Sequence, residues 1–252
     1  MRRHSTFRTG NPALNANTFK NISGDTSNKM TLEGSVNKIG ISFLILLLTS
    51  FYTFKTENPN FIWIGFIGGL ILAFITIFKK EWSPYTVPLY AALEGLALGG
   101  ISLLFNKMYP GIAQQAVFLT FGIFGTLLFA YKTKMIQATE NFRLGIFAAT
   151  GGIGVAYLIN IIVSWTTGGS LYFMTMGQPG APAPMISVAF SVFVVAIAAL
   201  NLVLDFDFIE QGAELGAPKY MEWYAAFGLL ITLIWLYIAI LRLLAKLQSR
   251  RN

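Results

Sequence analysis

The chain has 252 residues, of which 55% are hydrophobic and only 12% charged, with a mean hydropathy of +0.61. A soluble domain carries about a quarter charged residues, so most of this surface faces something other than water. The formal charge of +7 would suggest nucleic acid in a soluble protein; here basic residues flanking membrane spans account for it, and no nucleic-acid partner is expected.

Cysteine is absent, which excludes disulfides, thiolate metal sites and cysteine nucleophiles. The single histidine, His4, lies in the polar N-terminal stretch. MRRHSTFRTG opens with arginines, but polar residues continue to Lys38, where a signal peptide would place its apolar core. The first twenty residues fit a mitochondrial presequence less well than a basic cytoplasmic tail. Residues 1–38 are therefore expected to be a disordered basic tail, followed by a transmembrane domain over 39–247 and a basic end over 248–252.

Seven apolar runs follow in order. The first, Ile39 to Phe54, is framed by Lys38 and Lys55. After TENPN comes Phe61 to Phe78, closed by Lys79 and Lys80, then Pro84 to Phe105. The fourth covers Ile112 to Tyr131 and the fifth Leu144 to Trp165. The Gly/Pro-rich link TTGGSLYFMTMGQPGAPAP precedes the sixth, Met185 to Phe206, and the seventh extends from Tyr220 to about Leu247. These runs are continuous and too long for alternating barrel strands. In lipid each must satisfy its own backbone hydrogen bonds, which predicts seven transmembrane helices.

Basic residues set the orientation. Arg2, Arg3, Arg8, Lys20, Lys29, Lys38, Lys79, Lys80, Lys132, Lys134, Arg143 and Lys219 fall on the N-terminal side. Lys55, Lys107, Arg242, Lys246, Arg250 and Arg251 fall on the other if the seventh helix crosses fully. That excess places the N-terminus in the cytoplasm, although the C-terminal basic cluster pulls against a seventh full crossing. Close-packing small residues recur at Gly65/Gly69, Gly95/Gly99, Gly122/Gly125 and Gly151/Gly154, as expected for helices packing within a bundle.

Ionisable groups inside spans are costly, so they are the candidate functional residues. Glu94, in YAALEGLALGG, lies near mid-membrane. It reads as a cation ligand or proton acceptor, against the alternative of a protonated acid making one structural hydrogen bond. The sixth run closes in NLVLDFDFIEQGAE, where Asn201 and Asp205 share a helix face and Asp207 lies on another. A gate and a cap wetted by the headgroups are both open readings of Asp205. Lys79 and Lys80 are candidate latches on the same side. Arg242 is a further counter-ion candidate whose simplest reading is snorkelling. Asn160, Gln114 and Gln115 are weaker polar candidates.

No enzyme is expected. No span holds a histidine base, no metal-ligand cluster converges, and no Walker or dinucleotide glycine loop occurs. Gly151-Gly152 would break the fifth helix, but a transporter's paired second break is missing.

The runs LNLVLDFDFIE and AFGLLITLIWLYIAILRLL resemble the C-terminal signature of the Bax inhibitor-1 family. The third span, YAALEGLALGGISLLF, is similar to that family's glycine-rich third helix. RTGNPALNANTF and MTLEGSVNKIG resemble its bacterial, YccA-like branch. The resemblance covers nearly the whole chain. It implies an all-α membrane protein, a seven-transmembrane-helix bundle with the last helix central, and a pH-sensitive Ca²⁺ leak. In the family pattern an aspartate ending the sixth helix pairs with one in the seventh, and a basic end of the second helix latches onto them. Asp205 matches the first aspartate, whereas the second falls on or near Thr232. Glu94 or Glu222 would then have to replace the absent carboxyl.

The expected function is accordingly a carboxylate-lined Ca²⁺ or H⁺ pathway formed by Asp205, Glu94, Asp207, Asn201 and Glu222. Lys79, Lys80 and Arg242 are its latch candidates, Asp205 and Glu94 its transient Ca²⁺ ligands, and no resident cofactor is expected. The alternative is a non-conducting regulator that binds another membrane protein, such as a membrane-bound protease, through residues 1–30. An intramembrane enzyme is a third, weaker reading. The expected location is a bacterial inner membrane.

Overall fold

A computed structural model describes residues 29–58, 60–177 and 181–251. Among them are seven long helices and no strand: α1 (Leu32–Thr56), α2 (Asn60–Phe78), α3 (Ser83–Met108), α4 (Ile112–Lys132), α5 (Glu140–Thr167), α6 (Met185–Glu214) and α7 (Met221–Ser249). All seven are long and apolar enough to cross a membrane. The expected all-α, seven-helix fold is therefore observed, and the chain is a multi-pass integral membrane protein. Burial identifies the enclosed helix: 67% of the apolar window of α7 is buried, against 11% for α5.

Several expected boundaries are corrected. Residues 32–38, assigned to a tail, begin α1, because Thr31 caps the helix by accepting from the Gly34 amide and Glu33 sits in its first turn. The rest of that assigned tail, and the tail-borne partner determinant, lie outside the described residues up to residue 28. The fifth helix is unbroken across Gly151-Gly152. Two adjacent glycines weaken helix propensity without removing any backbone hydrogen bond. The sixth helix runs past Phe206 to Glu214, since Phe208 and Ile209 remain buried and hold its later turns. The seventh ends at Ser249, just beyond the expected Leu247.

The chain divides into two compact units: residues 1–104 with 204–232, and residues 105–203 with 233–252. In the first, α3 packs on α1 through Gly95 and Gly99. A Cβ on either would run into backbone oxygens of Leu46 or Ser50. Gly65 of α2 is pressed likewise onto Leu93 and Ala97 of α3. Tyr90 of α3 meets Phe227 of α7 edge to face at 4.9 Å, and the Thr76 hydroxyl donates to that of Thr86 at 2.7 Å.

In the second unit, Phe190 of α6 packs edge-on against Tyr157 of α5 at 6.5 Å and Phe173 at 5.1 Å. Here the glycine expectation fails. No described atom lies within 4 Å of where a Cβ would stand on Gly122, Gly125, Gly151, Gly152 or Gly154. These glycines face outward: the four-residue pairs of α2 and α3 pack closely, whereas the three-residue pairs of α4 and α5 mark an open surface.

Candidate functional site

One face of α6 carries the main polar feature. Ser187, Ser191, Val194, Ala198, Asn201 and Asp205 follow the three- and four-residue steps that keep side chains on one side of a helix. All six are buried. From Ser187 to Asp205 the stripe rises about 27 Å at 1.5 Å per residue, close to a bilayer's hydrocarbon core.

Asp205 is 0% exposed, and α6 continues for nine residues beyond it. It is not a solvated cap at a helix end, which removes one of the two readings open from sequence. Asn201 donates through Nδ2 to Thr150 Oγ1 of α5 at 2.9 Å and to the Ile197 carbonyl at 2.8 Å. Its Oδ1 is buried and has no hydrogen-bond partner among the described residues. Asp207 lies on another face, half-buried, and accepts from Gln211 Nε2 at 2.7 Å. Thr232 is buried, and its hydroxyl reaches back to the Gly228 carbonyl at 3.4 Å.

Glu94 is half-buried and sits mid-way along α3, with its carboxyl beside Gly69 of α2. A Cβ on Gly69 would stand 2.6 Å from Glu94 Oε1, so that glycine leaves the room the carboxyl occupies. Among the described residues no group of three or more acidic or histidine side chains could hold a metal.

Glu222 is wholly buried and turns toward α1. Its Oε1 accepts from the Thr31 amide and hydroxyl, both at 3.0 Å, and pairs with Lys219 at 2.7 Å. Gly34 makes space for this carboxylate, because a Cβ there would overlap it. The same segment is fastened by the Met30 amide, which donates to the Ala217 carbonyl at 2.6 Å. Glu222 therefore ties the start of α1 to the start of α7. One oxygen is committed to that tie, and Oε2 has no hydrogen-bond partner among the described residues.

Lys80 Nζ lies 5.6 Å from the centre of the Tyr224 ring, and Lys79 is exposed. The Arg242 guanidinium is exposed and stands over Tyr157 at 5.5 Å. Between the spans, the Tyr220 phenol is pushed up by burial and then by the nearby Glu81 carboxylate. Asn160 holds the link after α5, accepting from Ser170 Oγ at 2.9 Å and the Leu171 amide at 2.8 Å.

Sequence reasoning missed Lys246. It is 3% exposed, and its ammonium donates to the Ser187 carbonyl at 3.2 Å and Ser191 Oγ at 2.8 Å. Counting it with a C-terminal basic cluster hid it. The signal was its four-residue step from Arg242, inside the apolar run rather than after it.

Seven apolar helices with a buried polar stripe and a fully buried aspartate define a polytopic helical membrane protein. The Bax inhibitor 1 like family model matches residues 11–249, and the chain belongs to that family. No curated protein matches it closely.

Proposed function

We propose that this protein is a cation leak, selective for Ca²⁺ or protons, whose conducting route follows the polar stripe of α6. The observation that carries this reading is Asp205, a wholly buried carboxyl on the same face as Asn201, Ser191 and Ser187. A charge so placed costs several kcal/mol or more unless a counter-charge, proton or passing ion offsets it. The unpartnered Asn201 Oδ1 adds a neutral oxygen of the kind hard cations accept.

Glu94 serves as a second carboxyl in mid-span. The closely paired acid dyad of the family pattern is replaced by Asp205 with a hydroxyl at Thr232. Proton sensitivity then rests on separate carboxyls rather than one shared proton. The orientation that fits the basic residues has the N-terminus in the cytoplasm, and the NPAL and MTLEG patterns support the bacterial branch and its inner membrane. The reading needs no cofactor and no catalytic step. Ca²⁺ entry into dye-loaded liposomes holding the purified protein tests it. Entry that falls with Asp205→Asn supports the pathway, and a folded protein that passes no ion at any pH refutes it.

A second reading is a regulator that docks another membrane protein. The outward glycines of α4 and α5 favour it, since a neighbouring helix approaches closely only where side chains are small. Crosslinking from α5 distinguishes it, because a pure leak yields no specific heterologous adduct.

A further inference from the structure

The leak reading leaves a buried cation unexplained. Lys246 sits on α7 inside the second unit, whose sequence holds eight basic residues and one acid, Glu140. Its ammonium has no carboxylate within ion-pair distance among the described residues. Its two partners are a carbonyl and a hydroxyl oxygen, Ser187 O and Ser191 Oγ. Neutral oxygens of this type coordinate hard metal cations. Both belong to the α6 stripe, four residues apart, at the end remote from Asp205.

Structural needs alone do not call for a charge there. The adjacent connection is already fastened: the Ala183 amide donates to Ser249 Oγ at 3.1 Å, and Arg250 Nη1 donates to the Ala183 carbonyl at 2.7 Å. Lys246 lies in the last turn of α7, where the helix dipole favours a cation, yet its ammonium is buried against α6 on neutral oxygens rather than reaching outward.

Building on the leak reading, we infer that Lys246 is a tethered cation that occupies the Ser187–Ser191 end of the stripe and holds back permeant cations. The ammonium fills the oxygens an ion would use, and its fixed charge repels an arriving ion. A unit charge a few ångströms away opposes another even at the effective dielectric of a partly buried site. Lys246 is thus a selectivity and leak-limiting residue for the same route in which Asp205 attracts.

The test is Ca²⁺ flux into dye-loaded liposomes for wild type, Lys246→Met and Lys246→Arg, each checked for helical content and monodispersity. Methionine keeps much of the side-chain volume while removing the charge and its donors. The expected result is a rise on the order of tenfold for Lys246→Met, as removal of a nearby fixed charge implies, with Lys246→Arg as tight as wild type. Equal flux in folded wild type and Lys246→Met overturns the inference and leaves the leak standing. Flux in neither overturns both, whereas a silent wild type with a conducting Lys246→Met supports the plug and overturns only the resting leak. Should Lys246→Met not fold, Lys246→Gln decides: higher flux in the folded variant supports the plug, and flux equal to or below wild type overturns it.

Discussion

Glu222 and Thr31 give the most quantitative prediction. The carboxylate is wholly buried and takes two hydrogen bonds from one residue, each at 3.0 Å. Hydrogen bonds to a charged group contribute about 1.5–3 kcal/mol each. The Lys219 pair adds less than about 1 kcal/mol, because that lysine is 46% exposed and screened. Glu222→Ala should therefore cost about 3 kcal/mol, as it strands the Thr31 donors and removes a favourable charge from the start of α1. Thr31→Val should cost about 1–2 kcal/mol through the lost cap to Gly34 and the lost hydroxyl bond. In the double variant the hydroxyl–carboxylate bond is lost only once, so the combined cost should fall short of the sum by about 1 kcal/mol or more. Denaturation in mixed micelles, monitored by Trp fluorescence, measures all three. Costs that add within about 0.5 kcal/mol would mean the two groups do not interact, and the tie between α1 and α7 would be wrong.

Other predictions follow from the same geometry. Gly95→Ala should destabilise by about 1–3 kcal/mol, because its new methyl meets the Leu46 backbone. Gly152→Ala, open on all sides, should instead stabilise by up to about 1 kcal/mol; thermal melting in detergent reads both signs. Asn201→Ala should lower thermal stability by about 1 kcal/mol through loss of the Thr150 bond. It should also reduce Ca²⁺ flux by removing an oxygen from the stripe, whereas Thr150→Val should lower stability alone.

The helices were legible in the sequence because the bilayer imposes one rule on every span: a long apolar run with its hydrogen bonds satisfied internally. Their ends were less so. The first turns of α1 and the last turns of α6 lie beyond the apolar runs and are held by Thr31 and by Phe208 and Ile209, which hydropathy does not register. Glycine spacing was ambiguous for a physical reason. Small-residue pairs pack Gly95 against α1 and leave Gly151 and Gly154 facing outward, and only the neighbouring helix decides which. Asp205 and Asn201 could be read from their four-residue step. Extending that step back to Ser191 and Ser187 was equally possible, but serine in an apolar helix carries little signal. The partnership of Glu222 with Thr31 spans 191 residues and has no local trace.

The central claim is that a buried carboxyl on α6 carries cations across the membrane. It is tested most directly by Ca²⁺ entry into dye-loaded liposomes measured across neutral pH. Wild type, Asp205→Asn and Glu94→Gln should be compared at equal reconstitution. The account predicts pH-dependent entry in wild type, loss of most of it in Asp205→Asn, and a reduction in Glu94→Gln. Entry that is unchanged in folded Asp205→Asn, with the same pH profile, would contradict it.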